Sequence, residues 1–316
     1  MNRSQKIIAA LGLAALIIIM VLALQATPGP HPALERGPTP EARPAPKAHP
    51  ANFLWEVTSE RGGRAYILGS IHLAYPGLYP LNNEITAAFD RSEALVVEIN
   101  TEEMPQELID DYIQKHGYTN DGRPLPERLS PETRVILEKS GFYNPGLALF
   151  KPWLAALAVQ LTALQKNGFE ARYGLDRHFI EKAQTRKIKI IELETIDDQM
   201  GLLANMSQEE ADLFLRSAIL EMDDLPVLME GFLDTWRQGD VEGFGEIFFK
   251  EYDRYPELTP LMDKVIFRRN ERMAAKIHEL LLEPGVLFVV IGAGHLVSDR
   301  SVLTELADRG HTVRQQ

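Results

Sequence analysis

Two apolar runs, each reaching a glycine and followed by a histidine, lie near the two ends of the main body of this chain. Residues 64–70 (RAYILGS) and 286–292 (VLFVVIG) are apolar enough to be buried strands. A glycine turn at residues 61–64 joins the first run to the preceding segment FLWEVTSE, a pattern typical of a β-hairpin. Further strands are predicted at residues 94–100, 187–195 and 311–315.

Helical periodicity fills the middle of the chain. The apolar stretch at residues 147–168 predicts a long helix that buries Trp153 and ends at Asn167-Gly168, whereas residues 101–145 are polar and predicted to be irregular. Other helices are predicted at residues 81–91, 175–187, 301–309 and 207–282, the last with breaks at Pro226, Gly239-Asp240 and residues 256–260. The predicted class is therefore α+β (mixed α/β), with a central mixed sheet built from the N- and C-terminal halves and a large helical insertion.

The first 50 residues differ from the rest. Two basic residues precede an unbroken apolar run at residues 7–24, and about 18 apolar residues lie at the lower limit for a bilayer-spanning helix. Residues 1–26 are therefore predicted to be a transmembrane anchor or a signal peptide, with the anchor slightly favoured. Residues 27–50 are rich in proline and predict an extended linker, so the folded domain is expected to occupy residues 51–316.

The charges around the apolar run predict its orientation. A basic segment in front of such a run stays in the cytoplasm. We therefore expect a single-pass inner-membrane protein with its body on the periplasmic, extracytoplasmic side, or a periplasmic protein if the signal is cleaved. The formal net charge of the whole chain is -12, and nucleic-acid binding draws mainly on basic contacts to phosphate. Nucleic acid is therefore not an expected partner.

Composition also narrows the chemistry. The chain contains no cysteine, which excludes disulfides, thiolate catalysis and cysteine-type zinc sites. The polar groups that remain gather where predicted strands finish, at His72, Glu98, Glu194 and His295. Because ligands bind at the carboxyl ends of parallel strands, these side chains are expected to lie close together.

Imidazole and carboxylate groups suit a divalent metal such as Mn²⁺, Co²⁺ or Zn²⁺, and a metal with an open position makes a nucleophile of its bound water. Glycine permits close approach of the backbone to a ligand, which is the role expected of Gly69, Gly292 and Gly294. The alternative is that each Gly-x-x-His element is a tight turn whose histidine only packs.

Two further residues have open roles. Asp176 precedes a predicted helix and either caps it or accepts a hydrogen bond from a metal-binding histidine. Arg269 lies in an amphipathic helix, where an inward-facing arginine would stabilise an oxyanion and an outward-facing one would belong to a solvated face.

Several blocks of the sequence, in order along residues 53–315, resemble the TraB/PrgY/GumN family. They are LWEV, AYILGSIHLAYPGLYPLNNEITAAFDRSEALVVEIN, FKPW, YGLDRHF, IIELETIDDQ, FRRNERMAAKI and FVVIGAGHLV. That family is similar to the TIKI proteins, which are membrane-tethered metalloproteases dependent on Mn or Co, and more remotely to the ChaN and erythromycin-esterase folds. The resemblance implies that His72 and His295 bind metal or take part in catalysis, with Glu98 alongside. It extends less directly to Glu194, Asp176 and Arg269.

These observations together predict a membrane-tethered, extracytoplasmic, metal-dependent hydrolase, most simply a peptidase, acting on a peptide or small-molecule substrate. His72, His295 and Glu98 would hold the metal, and Glu98, Glu194 and Arg269 would serve catalysis. The alternative is a non-catalytic envelope protein that binds a peptide or a metal complex in the same cleft. A third possibility is a structural factor in envelope biogenesis. A homodimer is compatible with every one of these functions.

Overall fold

A computed structural model describes residues 52–254 and 262–316, and the structural statements below concern these residues. The predicted anchor or signal (1–26), the linker (27–50) and the helix break near residues 256–260 lie outside them. Among the described residues, no helix combines the length and apolar character needed to cross a membrane.

A six-stranded mixed sheet forms the centre of the molecule. Its strands are β1 (Leu54–Thr58), β2 (Gly63–Ser70), β3 (Ala94–Val97), β4 (Lys189–Glu192), β5 (Gly285–Gly292) and β6 (Thr312–Gln315). Their order across the sheet is β4-β3-β5-β2-β1-β6. β4, β3, β5 and β2 run parallel, while β1 is antiparallel to both β2 and β6. The prediction that the two ends of the chain share one mixed sheet is confirmed.

Strands β3, β5 and β2, which are neighbours in the sheet, are apolar because they are covered on both faces. All four residues of β3 are buried, and so is the second half of β5. This is the continuous hydrophobic pattern expected of parallel strands between helices. In the register, Ser70 of β2 lies opposite Gly292 of β5, and Val97 of β3 lies opposite Val290 of β5. The residues that follow these three strands therefore emerge at one edge of the sheet.

Eleven α-helices surround the sheet in the described part of the chain. They are α1 (Asn83–Asp90), α2 (Gln106–Gly117), α3 (Pro131–Ser140), α4 (Pro152–Lys166), α5 (Leu175–Arg186), α6 (Ile196–Ala204), α7 (Gln208–Leu220), α8 (Leu225–Arg237), α9 (Val241–Arg254), α10 (Arg268–Leu281) and α11 (Val302–Asp308). A turn of π-helix, Asp263–Phe267, leads into α10. Trp153 is buried in α4, and Gly168 follows that helix at φ +83°, as its sequence predicts.

The prediction that residues 101–145 are irregular is wrong, since α2 and α3 lie there. Ile109 and Ile113 are four positions apart and place one apolar side of α2 in the core. Ser130 caps α3 by accepting a hydrogen bond from the Thr133 amide, and Pro131 occupies the first turn. These start signals were present in the sequence, but the many polar residues between them masked the apolar periodicity.

Helices α8 and α9 form a pair that covers the end of β2. The indole Nε1 of Trp236 in α8 donates to the Gly69 carbonyl at 2.6 Å. The Phe244 ring of α9 lies 5.1 Å from the Phe53 ring, centroid to centroid. Because these contacts hold both helices against the strand ends, part of the helical insertion forms a wall beside the sheet edge where the predicted site residues emerge.

Candidate functional site

His72, Glu98 and His295 converge at the carboxyl edge of the parallel strands. His72 lies two residues beyond β2, Glu98 follows β3 directly, and His295 sits in a short 3₁₀ turn, Ala293–Leu296, after β5. The distance from His295 Nε2 to Glu98 Oε1 is 3.9 Å. Oε1 of Glu98 also accepts a hydrogen bond from the Gly292 amide at 2.6 Å. These three side chains therefore lie close together at one edge of the sheet.

Both imidazoles are held by their Nδ1 atoms. Nδ1 of His72 lies 2.6 Å from Asp176 Oδ2, and Nδ1 of His295 lies 2.6 Å from Asn270 Oδ1. The amide nitrogen of Asn270 donates to the Arg300 carbonyl, which leaves its oxygen to accept from His295. Nε2 of both histidines is buried without a hydrogen-bond partner. Each ring therefore presents Nε2 to the site, the orientation that metal-binding histidines adopt when an acceptor fixes Nδ1.

Asp176 orients His72 and does not cap a helix. The residue that precedes α5 is Gly174, and no side chain caps that helix. Oδ2 of Asp176 instead accepts hydrogen bonds from His72 and from the Ser70 hydroxyl. A Cβ atom at Gly174 would stand 2.3 Å from the His72 carbonyl oxygen. Glycine at this position therefore lets the start of α5 approach the strand end closely enough for Asp176 to reach the imidazole.

Arg269 is fully buried, so a place on a solvated face of α10 is wrong. Its Nε donates to Glu194 at 2.8 Å, and one terminal nitrogen donates to Glu194 at 2.6 Å and to Glu98 at 2.7 Å. The side-chain amide of Gln199 donates to both carboxylates at 3.1 Å. Because Glu194 and Glu98 occupy these donors of Arg269, the arginine fixes the two carboxylates.

The surroundings shift the pKa values of His72, His295 and Glu98 in different directions. Burial would lower the pKa of His72, but Asp176 and Glu98 raise it above the ordinary histidine value. Burial, together with the charge of Arg269, lowers the pKa of His295 well below that value, so this imidazole is neutral. Burial raises the pKa of Glu98, although Arg269 and His72 oppose the rise. The surroundings thus raise the pKa of both His72 and Glu98 and lower that of His295.

Glycines near the site have different physical roles. A Cβ atom on Gly292 would lie 3.1 Å from His72 Nε2 and 3.3 Å from Glu98 Oε1, so this glycine leaves open the space between the two groups. A Cβ atom on Gly69 would stand 2.5 Å from the Phe53 ring, and one on Gly294 would stand 2.6 Å from the Phe248 ring. Gly292 thus borders the site, whereas Gly69 and Gly294 permit aromatic packing beside it.

The nitrogen and oxygen atoms of His72, His295 and Glu98 are of the types that bind divalent metals. Among the described residues, no group of three or more His, Asp or Glu side chains is arranged so that it could hold a metal ion as it stands. Two Nε2 atoms nevertheless lack partners, and Oε1 of Glu98 has a second lone pair beyond the one used by Gly292. Two atoms bound to one metal at about 2.1 Å lie at most about 4.2 Å apart, and the His295–Glu98 distance of 3.9 Å satisfies that limit.

Charge supports the same fit. Three buried carboxyl groups, on Asp176, Glu98 and Glu194, lie here with one buried guanidinium, on Arg269. Buried charges need a partner, and a divalent cation would balance this excess. In donor type and orientation, His72, His295 and Glu98 are the described residues that would hold a divalent metal.

Sequence reasoning missed three residues that shape the site. Gln199 lies in α6, which begins with a reciprocal capping box between Thr195 and Asp198 that the sequence displays. Asn270 directly follows Arg269, and Ser70 closes β2. Each lies within a block that carries the family resemblance, so those blocks were the available signal. Glu192, the carboxylate at the end of β4, is exposed and accepts a hydrogen bond from the backbone amide of Asn100.

Comparison with known proteins gives matches over most of the chain. A model of the TraB/PrgY/gumN family matches residues 53–315. Uncharacterized protein YbaP of Shigella flexneri is 23% identical over 258 residues, covering 78% of this chain and 90% of the relative. YbaP of Escherichia coli strain K12 has the same identity and coverage. Metalloprotease TIKI2 of Xenopus tropicalis is 24% identical over 319 residues, covering 83% of this chain and 59% of the relative. No solved structure gives a significant match.

Proposed function

Because this chain belongs to the TraB/PrgY/gumN family, we propose that it is a divalent-metal-dependent hydrolase that cleaves peptides. The observation that carries the proposal is the pair of buried Nε2 atoms, on His72 and His295, which have no partner and flank Glu98. The similarity to a protein named metalloprotease TIKI2 supports both the metal and the peptide substrate.

His72, His295 and Glu98 would hold the metal. A divalent metal at such a site supplies a Lewis acid that polarises a carbonyl and lowers the pKa of water. The chain's own residues supply orientation and proton transfer. Asp176 and Asn270 fix the two imidazole rings, and Arg269 fixes one oxygen of Glu98 while the other faces His295.

The proton chemistry rests on Glu98. The raised pKa of Glu98, caused by its burial, brings this carboxylate closer to the range in which a general base works at neutral pH. Asp176 accepts the Nδ1 proton of His72, so the Nε2 atom that would bind the metal keeps its lone pair. Glu194 binds Arg269 and Gln199, so we assign it the positioning of Arg269 and not the role of base.

A non-catalytic binder with the same cleft is the competing function, and Glu98→Gln separates the two. The amide keeps the size of the carboxyl group but cannot accept a proton. We expect turnover of a peptide library with Mn²⁺, Co²⁺ or Zn²⁺ to fall about 10²–10⁴-fold, the range for loss of a general base. Mass spectrometry of the library measures the products, and thermal melting checks the fold.

The matched control for this experiment is Glu192→Gln, which changes an exposed carboxylate at the end of β4 and is expected to keep full turnover. Wild-type protein that binds peptides tightly but cleaves none with any of the three metals would favour the binder and overturn the hydrolase.

Asn270→Leu tests whether the orientation of His295 matters for metal binding. Leucine removes the acceptor for Nδ1 at similar size, and loss of such a partner weakens metal binding about 10–100-fold. Asn270→Asp retains an acceptor and should bind nearly as tightly as wild type. Isothermal titration with Co²⁺ gives the affinities. Equal affinities for Asn270→Leu and wild type would contradict the assignment of His295 as a ligand.

We also propose that the body is tethered to the inner membrane and faces the periplasm. This proposal rests on the apolar run at residues 7–24 with basic residues before it, followed by the proline-rich segment at residues 27–50. Such a tether would place the catalytic edge of the sheet within reach of extracytoplasmic peptides.

A further inference from the structure

An apolar pocket of about 50 Å³ lies directly beside the candidate site. One side is formed by the ends of β2 and β5, including His72 and Gly292. The other side consists of four side chains from the helical wall, which are Met229, Phe232, Phe244 and Phe248. None of these four belongs to the proposed metal and proton machinery, so the pocket is a separate feature that opens onto it.

The walls of the pocket are packed aromatic rings. The Phe232 and Phe244 rings lie 4.7 Å apart, centroid to centroid, and the Phe244 and Phe248 rings lie 6.4 Å apart. The Phe248 ring also packs against Gly294, where no side chain would fit. Because all three rings are held by neighbours, the pocket has a defined shape, which selects a ligand by size.

Three residues of the site, Ser70, His72 and Gly292, also line the pocket. His72 lines the pocket, and its Nε2 atom is the one that lacks a partner. Gly292 lines it too, and a Cβ atom at this position would lie 3.1 Å from His72 Nε2 and 3.3 Å from Glu98 Oε1. A group seated in the pocket would therefore carry whatever is bonded to it next to the unpartnered nitrogen and the carboxylate.

Size and polarity define the occupant. A cavity of about 150 Å³ lined by Leu, Ile and Phe accepts benzene, so a pocket one third as large excludes an aromatic ring. A charged group would lose its hydration against these carbon walls without gaining a partner. The chemistry that fits is a short aliphatic group, from the methyl of alanine to the isopropyl of valine.

We propose that this pocket binds a small aliphatic side chain of the substrate, on a residue adjoining the amide that is cleaved, and that Met229 sets the size limit. The assignment of a peptide substrate rests on the proposed function. The pocket itself is tested by binding alone, so the two ideas fail separately.

The experiment measures binding of N-acetyl amino-acid methylamides by saturation-transfer NMR, with full-length protein free of metal. The probes carry the side chains of alanine, valine, leucine and phenylalanine. Wild type is expected to bind the alanine and valine probes and to reject phenylalanine. Met229→Ala widens the pocket and should move the preference to leucine, with a change of about 10–200-fold for each methylene accommodated or excluded.

Two further variants guard against loss of the fold. Met229→Trp fills the pocket and should abolish binding of the valine probe, and circular dichroism verifies that each variant is folded. Leu225→Ala removes a buried side chain from the same helix outside the pocket and should leave the wild-type ranking unchanged.

The ranking of the probes in each variant decides whether the pocket binds a small aliphatic side chain. The same ranking in wild type, Met229→Ala and Leu225→Ala would overturn the pocket assignment, even if the protein cleaves peptides with metal. Absence of binding by all probes would overturn it too. The expected ranking, together with no cleavage of any peptide, would keep the pocket and remove the proposed hydrolase.

Discussion

Replacing Arg269 with methionine is expected to lower the free energy of unfolding by about 3–5 kcal/mol, the cost of removing one partner of a buried ion pair. Arg269 and Glu98 are fully buried, and Glu194 is 4% exposed. Methionine occupies similar space but supplies no charge. Two carboxylates would then share a low-dielectric interior with only the amide of Gln199 between them.

Urea unfolding of metal-free protein measures this effect, and Arg272→Met is its matched control. Arg272 lies in the same helix with a half-exposed side chain, 4.0 Å from Glu194. An exposed pair of this kind contributes about 0–1 kcal/mol. If both variants lose the same free energy, Arg269 does not hold the carboxylates as described. Adding Glu194→Gln to Arg269→Met should restore part of the loss, because it removes one uncompensated charge.

The second large effect is expected for the double variant His72→Ala/His295→Ala. It removes both unpartnered Nε2 atoms and with them the proposed metal ligands. At a hundredfold excess of Mn²⁺ over its dissociation constant, wild type should gain about 2.7 kcal/mol of apparent stability. The double variant should gain none and should lose peptide turnover to background. Thermal melting with and without Mn²⁺ measures the first quantity, and a peptide-library assay measures the second.

A second histidine pair supplies the control for this experiment. Nδ1 of His278 lies 2.8 Å from Nε2 of His311, in α10 and just before β6. His278→Ala/His311→Ala removes the same number of imidazoles and leaves the candidate site intact. It is expected to keep the full Mn²⁺-induced stabilisation and the turnover. A loss of stabilisation in this variant equal to that in the first would contradict the location of the site.

Much of the fold followed from the sequence because the central strands carry strong signals. Continuous apolar runs such as that of β5 have few structural alternatives. Their order in the sheet was less visible, since β2 and β5 are separated by more than two hundred positions and pair only through the tertiary fold. The sequence did predict that both belong to one sheet. It did not predict α2 and α3, whose polar surfaces concealed a narrow apolar stripe.

The site was predicted where a strand end delivers a charged side chain. Glu98 follows an apolar run directly, and His72 and His295 lie two and three residues beyond such runs, so the sequence predicted that the three would lie close together. The role of Arg269 could not be predicted in this way, because the periodicity of α10 does not by itself indicate that one arginine faces the core. Gln199 and Asn270 were missed for a related reason. Amides on helices resemble surface residues until the acceptors or donors they meet are known.

The glycines at the ends of β2 and β5 are required for different structural reasons. At Gly292 a side chain would fill the space that the imidazole and carboxylate face, whereas at Gly69 it would collide with the Phe53 ring. The repeated Gly-x-x-His pattern thus combines one position required by the site and others required by packing. A sequence pattern alone assigns both the same function.

The account depends most directly on whether the two imidazoles bind one metal ion. Visible absorption of full-length, metal-free protein titrated with Co²⁺ tests this, because Co²⁺ absorption reports its ligands. We expect one equivalent of Co²⁺ to develop a saturating ligand-field spectrum in wild type and in His278→Ala/His311→Ala. We expect no such spectrum in His72→Ala/His295→Ala. A wild-type protein that gives no saturating spectrum, or a double variant that gives the same one, would contradict the metal site and the hydrolase proposed from it.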